Sequence, residues 1–244
     1  RDLNYLASDP LEGRNTPSPG FDKAAQFIAG RLKSAGLKPF GDNGTFFQAY
    51  TMRESRVDTA AAYVEVNGRR FRFGDDFVVR SFASPLAGSF PIVYVGHGWT
   101  VPGRGIDPYA GVDVKGKIVL AHGPRALPKG VDIQQIGRIS VGANTPFTEA
   151  ERRGAAGIIF IPQTSALAGW DQMRGQNTTR RELDPNVPSA YASTGVSSVL
   201  LSRSATEALL AGERVDGPTL IGLGDNADYP PSFQLTRQVV LHVP

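Results

Sequence analysis

Lys117-Ile118-Val119-Leu120-Ala121 and Gly157-Ile158-Ile159-Phe160-Ile161 decide the fold class, together with Thr148-Glu149-Ala150-Glu151-Arg152-Arg153-Gly154 between them. The two runs are short, β-branched and closed by Gly or Pro, the signature of buried strands. Thr148 with Glu151 reads as a capping box that opens a short helix ending at Gly154. Strand, helix and strand in that order predict one right-handed crossover unit.

Working outward, residues 90–95, 196–201 and 233–243 read as further strands. Residues 62–66 and 69–73 alternate in polarity around Asn67-Gly68. That dipeptide predicts a type I′ hairpin, because both central residues need positive φ. Ser204 with Glu207 reads as the cap of a helix running through Leu209 and Leu210 to Gly212. Residues 168–188, with Trp170 and Met173, show little period and read as a long surface loop with one helical turn at most. The N-terminal part reads as helix, glycine-rich loop and a second, amphipathic helix over residues 21–37. In that helix Phe21, Ala24, Ala25, Ile28 and Leu32 share a face, with Gly36 as the stop. The fold class expected is therefore α/β and β-rich, short strands with flanking helices, plus a helical N-terminal segment.

The 244 residues are 41% hydrophobic and 20% charged, enough for a substantial core in one or two domains. With 28 Gly and 18 Pro, many short strands joined by turns are favoured over a helical bundle. Net charge +3 is too small to require a nucleic-acid partner, and Arg152-Arg153 and Arg180-Arg181 are isolated pairs without interleaved aromatics. The absence of cysteine excludes disulfides, thiol nucleophiles and cysteine metal ligands. No run approaches the length of a membrane helix. The chain opens at Arg1 without a signal peptide and ends at Pro244 after an apolar run, so both ends are expected to be cut from a longer protein.

Chemistry-bearing patterns are sparse. The histidines are His97, His122 and His242, none in a His-x-Asp or His-Glu-x-x-His pattern, and each reads as structural. Asp75-Asp76 reads as a turn after Phe73-Gly74. No Gly-x-Ser-x-Gly elbow surrounds a serine, and Ser84, Ser89 and Ser140 have no base nearby in sequence. Gly96-His97-Gly98 and Gly222-Leu223-Gly224 lack the rest of a nucleotide motif and read as tight turns at strand ends. Asn43-Gly44-Thr45 and Asn177-Thr178-Thr179 match the glycosylation sequon, which matters only in a eukaryotic secretory pathway. No catalytic or metal residue is assigned, and binding residues stay unassigned.

Two stretches carry a resemblance. Leu6-Ala7-Ser8-Asp9-Pro10-Leu11-Glu12-Gly13-Arg14, then Pro19-Gly20-Phe21-Asp22-Lys23-Ala24-Ala25 and Ala35-Gly36-Leu37-Lys38-Pro39, resembles the opening of co-catalytic zinc aminopeptidases of peptidase family M twenty-eight. Val93-Tyr94-Val95-Gly96-His97-Gly98, residues 107–120 and Gly154-Ala155-Ala156-Gly157 look like the protease-associated domain inserted in such enzymes. His97 departs from that pattern, where tyrosine is more usual. The resemblance implies an N-terminal segment of a peptidase domain over 1–55, a protease-associated domain over 56–225, and a strand over 226–244 returning to the peptidase domain. It also implies a secreted or periplasmic zinc metallo-aminopeptidase as the parent, with zinc bound outside this chain. The chain alone would then be a non-catalytic region that shapes substrate access or contacts peptide or protein.

Two rivals stand beside that expectation. One is a hydrolase using Asp75, Asp76 and His97, and the other a free-standing module holding a peptide on residues 168–188 through Trp170. The face of Phe27, Ile28 and Leu32 is expected either to pack on the β-rich domain or to mediate contacts between copies, a homodimer included.

Overall fold

The structure, a computed structural model, describes residues 2–79, 84–123, 125–132, 143–175, 179–183, 195–224 and 228–244. Ser140 and the sequon asparagine Asn177 lie outside the described residues, as do parts of the 168–188 segment. The chain forms two compact units, Arg1–Met52 and Arg53–Pro244.

In the first unit, helix α1 (Asp2–Leu6) and a 3-10 turn (Asp9–Arg14) precede helix α2 (Pro19–Ser34). Ser18 caps α2 by accepting from the Phe21 amide at 3.1 Å, and Pro19 takes the first helical position, where a missing N–H costs nothing. The helix therefore starts two residues before the apolar period does. Gly36, at φ 76°, ends it as the sequence predicts. Gly20 lies on the backbone of Leu11, where an added Cβ would stand 2.0 Å from the Leu11 carbonyl oxygen. The contact buries Leu11 and Ala24. Part of the apolar stripe is thus covered by the unit's own 3-10 turn, and Phe27 packs on Tyr5 at 4.5 Å between ring centroids. Ile28 remains 46% exposed and Phe40 fully so.

The second unit is built on an eight-stranded sheet. In chain order its strands are β2 (Tyr63–Val66), β3 (Arg69–Arg72), β4 (Phe77–Val79), β5 (Leu86–Tyr94), β6 (Ile118–His122), β7 (Gly157–Ile161), β9 (Ser197–Leu201) and β10 (Phe233–Val243). A separate pair joins β1 (Met52–Arg56) to β8 (Thr179–Leu183). The sheet order is β3-β2-β10-β5-β6-β7-β9-β4. β5, β6, β7 and β9 run parallel, and the remaining neighbours are antiparallel. The hairpin β2–β3 has Asn67 at φ 50° and Gly68 at 76°, the two positive values of a type I′ turn.

Because β3 and β4 are consecutive in the chain yet stand at opposite edges, the turn between them draws the edges together. Gly74 N–H donates to the Phe77 carbonyl at 2.8 Å, and Phe73 bridges Phe77. The sheet is nearly closed, with the two edge strands joined at this turn. Asp75 and Asp76 sit in this turn, with the Asp76 carboxylate accepting from the Arg72 amide at 3.0 Å.

Strand alternation divides the apolar residues between two cores. Ile92, Tyr94, Ile118, Leu120, Ile159, Ile161, Val199 and Leu201 face one way and pack with helices α6 (Arg203–Leu210) and α7 (Gly217–Gly222). Val93, Val119, Ala121, Ile158 and Phe160 face the other way, against helix α3 (Pro146–Arg152) and the loop bearing Tyr109 and Val114. Each fully buried Ile or Leu contributes roughly 1.5–3 kcal/mol.

Several expectations need correction. The cap of α3 is Thr145, which accepts from the Thr148 amide at 3.2 Å. Pro146 fixes the first helical φ, so the helix begins before Thr148, and Glu151 instead accepts from the Gly195 amide. Similarly, Ser202 caps α6, because β9 runs straight into the helix, and Ser204 falls within its first turn. In residues 168–188 the helical turn is present as helix α5 (Trp170–Arg174), just after helix α4 (Thr164–Ala168), but Thr179–Leu183 forms strand β8 where the sequence predicts a loop. Gly222-Leu223-Gly224 closes α7 rather than a strand. Strand β10 pairs on both sides within the second unit's sheet, with β2 and β5.

Candidate functional site

At β5 the sheet changes from antiparallel to parallel pairing, and the loops beyond the carboxyl ends of β5 and β6 meet the segment that leads into β10. Crevices at the carboxyl ends of parallel strands are where α/β sheets commonly hold ligands. A cavity of about 520 Å³ opens there, walled by His97, Pro108, Pro128, Tyr229, Pro230 and Pro231.

His97 reaches the cavity through the turn Gly96-His97-Gly98, in which Gly98 N–H donates to the Val95 carbonyl at 3.0 Å. Both glycines have positive φ, 56° and 70°. A Cβ on Gly96 would meet Tyr229 at 3.1 Å, and one on Gly98 would meet Pro146 at 3.0 Å. Glycine is thus required twice, for conformation and for close packing. The sequence reading of this piece as a strand-end turn matches the structure.

Behind His97 lies an aromatic cluster. The His122 ring stands 4.3 Å from that of Tyr229 and shares a 3.0 Å hydrogen bond with the Tyr94 hydroxyl through Nε2. His97 meets Tyr229 edge-on at 5.9 Å. Burial holds His97 down to about 4, and burial together with the nearby His97 holds His122 down to about 3. Burial pushes the Tyr94 hydroxyl well above its ordinary range, with the Tyr229 phenolate charge adding to the effect. Both imidazoles are neutral at pH 7. The His97 Nδ1 accepts the Trp99 amide at 3.0 Å, which places the ring proton on Nε2.

Charged groups at the cavity are paired. Asp107 accepts from both the Arg153 guanidinium, at 3.0 and 3.1 Å, and the Tyr109 amide at 2.9 Å. Lys129 pairs with Asp228. The remaining hydroxyls are directed to backbone: Ser232 donates to the Pro108 carbonyl, and Tyr229 to that of Gly224 at 2.9 Å.

One wall is braced from behind by a buried carboxylate. Glu149 has no exposed surface and accepts from Arg152, Arg153, Thr100 and Asn144. Burial opposes its charge, but the two arginine hydrogen bonds outweigh burial and hold its carboxyl below the ordinary range. Arg153 bridges Glu149 to Asp107 and lies over the Tyr109 ring.

His97 and His122 are therefore brought together, but Asp75 and Asp76 do not join them. Asp75 faces Arg174, while Asp76 is engaged by Arg72 and Ser204. His242 stacks on Tyr63 across β2 and β10. Ser89 donates to Gln238 at 2.7 Å. Trp170 is half-buried, with its indole N–H on the Gly74 carbonyl at 2.7 Å, so it holds the β3–β4 turn. A zinc ion does not fit the His97–His122 pair, since His122 Nε2 is engaged by Tyr94. No group of three or more His, Asp or Glu among the described residues could hold a metal.

No family model matches the sequence, and no curated protein does. Among solved structures the chain is similar to an aminopeptidase from Aneurinibacillus sp. strain AM-1, at 14% identity and a TM-score of 0.46, over 100% of this chain and 44% of that one. It is also similar to a psychrophilic subtilisin-like protease from the Antarctic psychrotroph Pseudoalteromonas sp. AS-11, at 14% identity and a TM-score of 0.34, over 80% of this chain and 36% of that one. The chain spans less than half the length of either.

The cluster escapes sequence reasoning because its members lie far apart in the chain. Tyr94 ends β5, His122 ends β6, and Tyr229 precedes β10. The one local signal was a histidine between two glycines just beyond a strand, which marks a turn but not what the turn faces.

Proposed function

We propose that this chain is a non-catalytic accessory region of a secreted or periplasmic zinc-dependent aminopeptidase, and that the cavity beside His97 contacts peptide or protein substrate and shapes its access. The observation that carries the reading is the chemistry of that cavity. Its carboxylates and ammonium are paired, its hydroxyls donate to backbone, and its imidazole is a neutral donor, a set that binds but has no activated nucleophile. The resemblance of residues 6–25 and 93–160 to such enzymes supplies the parent.

Two further observations support this reading. The large apolar side chains that stand exposed among the described residues, Leu3, Tyr5, Ile28, Leu37, Phe40, Phe47 and Tyr50, all fall in the first unit. An unfinished core of this kind suits a segment that belongs to a larger peptidase domain, where the zinc would lie. The same face could instead pair two copies. In addition, the most specific pieces of the second resemblance clasp each other: Gly116 N–H donates to Gly154 O at 2.8 Å, and Ala156 N–H to Lys117 O at 2.9 Å.

The test is an assay of residues 1–244 against aminoacyl nitroanilides with added zinc. No turnover above buffer is expected. Turnover that His97→Ala abolishes overturns the reading in favour of a hydrolase.

A further inference from the structure

The cavity beside His97 has an asymmetry that restricts what can occupy it. Both of its carboxylates are paired with cations, Asp107 with Arg153, beside the Tyr109 amide, and Asp228 with Lys129. Its hydroxyl donors are engaged as well, Ser232 on Pro108 and Tyr229 on Gly224. The half-buried side-chain donor left without a partner is the His97 imidazole, since the Lys129 ammonium stands in solvent beside Asp228. With Nδ1 taken by the Trp99 amide, His97 carries its proton on Nε2, which has no acceptor among the described residues. A ligand that suits this surface brings acceptors and few donors, because each N–H buried without a partner costs about 1–3 kcal/mol.

Charge narrows the choice further. The ion pairs at the cavity cancel pairwise, so a charged side chain entering it would lose hydration without gaining a free counter-ion. The walls are stiff. Pro108, Pro128, Pro230 and Pro231 have fixed φ, and the Tyr229 ring is in contact with both His97 and His122. Rigid walls of proline and tyrosine are ordered before binding and suit a ligand that is equally pre-ordered. A polyproline II segment meets all three conditions: it has no main-chain N–H at proline, its carbonyls are exposed, and its conformation is fixed in advance.

We propose that this cavity binds an uncharged, proline-containing extended peptide segment, with one of its main-chain carbonyls accepting from His97 Nε2. The inference rests on the reading of the cavity as a substrate contact and adds the chemical class of what it contacts.

The experiment follows the amide and imidazole resonances of the whole chain while acetyl-tetraproline-amide is added to about 10 mM, a range suited to weak single-pocket contacts. Saturable shifts at Gly96, His97, Trp99 and Ser232 are expected. Acetyl-tetraalanine-amide should bind several-fold more weakly, and a Lys-Glu tetrapeptide should not saturate. His97→Phe, which keeps a ring but has no N–H, should weaken tetraproline about fivefold, and His97→Gln, which restores a donor, should recover part of the loss. Variant folding is checked by the dispersion of the same spectra, and Tyr229→Leu gives a second wall variant that should also weaken binding. Absence of saturation, equal binding of the charged peptide, or equal affinity in His97→Phe and wild type overturns the proposal. Such a result with no nitroanilide turnover removes this inference alone, whereas turnover that depends on His97 removes the reading beneath it.

Discussion

The Tyr94 hydroxyl and His122 Nε2 share a 3.0 Å hydrogen bond in a place where both residues are at most 2% exposed. Protonating His122 there would place a charge against Tyr229 and the edge of Tyr94, with no carboxylate among the described residues acting on the ring. Folding therefore holds the ring neutral, with its value near 3 against about 6.5 in an unfolded chain. His97 is held near 4 for the same main reason. As pH falls below about 6.5, the unfolded chain takes up protons that the folded chain does not. Stability that is fully present above that pH is lost on the way to pH 4 and toward pH 3. Urea midpoints should fall between about pH 7 and pH 4.5, and His122→Gln, which cannot titrate, should flatten the fall. A midpoint independent of pH over that range contradicts the account.

Glu149 is the only described carboxylate with no exposed surface that two arginines satisfy at once. Glu149→Ala leaves Thr100, Asn144 and two guanidinium groups without their shared acceptor. A loss of about 3 kcal/mol is expected, read from urea denaturation, since breaking one side of a buried pair costs more than the pair contributes. A loss within experimental error would show that water reaches the site.

Gly98→Ala combines a left-handed φ of 70° with a contact to Pro146 Cβ at 3.0 Å. The expected cost is about 2 kcal/mol or more. Because the Gly98 carbonyl accepts from the Tyr109 hydroxyl at 3.1 Å, the near-ultraviolet circular dichroism of tyrosine should change as well. Substituting Gly13, which has nothing within 4 Å of a Cβ, should leave that spectrum unchanged despite its own positive φ.

Trp170→Phe keeps a half-buried ring and deletes the bond to the Gly74 carbonyl. A loss of about 1 kcal/mol is expected, with no change in peptide shifts at Gly96 and Ser232, because Trp170 holds the β3–β4 turn. A change in those shifts would move the binding surface to the 164–175 segment.

The fold is legible where local patterns carry it. The runs at 117–121 and 157–161 are too apolar and β-branched to be surface, and Asn67-Gly68 permits one kind of turn. Boundaries slip where a neighbour outweighs a local signal, as at Thr148, where Pro146 starts the helix earlier. β4 has three residues and shows no period of its own. The place of β10 between β2 and β5 depends on pairing with strands far back in the chain, which no local window contains. The candidate site is less legible still. His97, His122 and Tyr229 each have an ordinary local setting, and only the meeting of three strand ends makes them one surface.

Calorimetric titration of residues 1–244 with zinc tests the central claim most directly, because the account gives this chain a binding surface and no metal centre. Only weak, non-saturating heats are expected, unchanged in His97→Ala and His122→Gln. A one-site isotherm with a stoichiometry near one, lost in either variant, would contradict it.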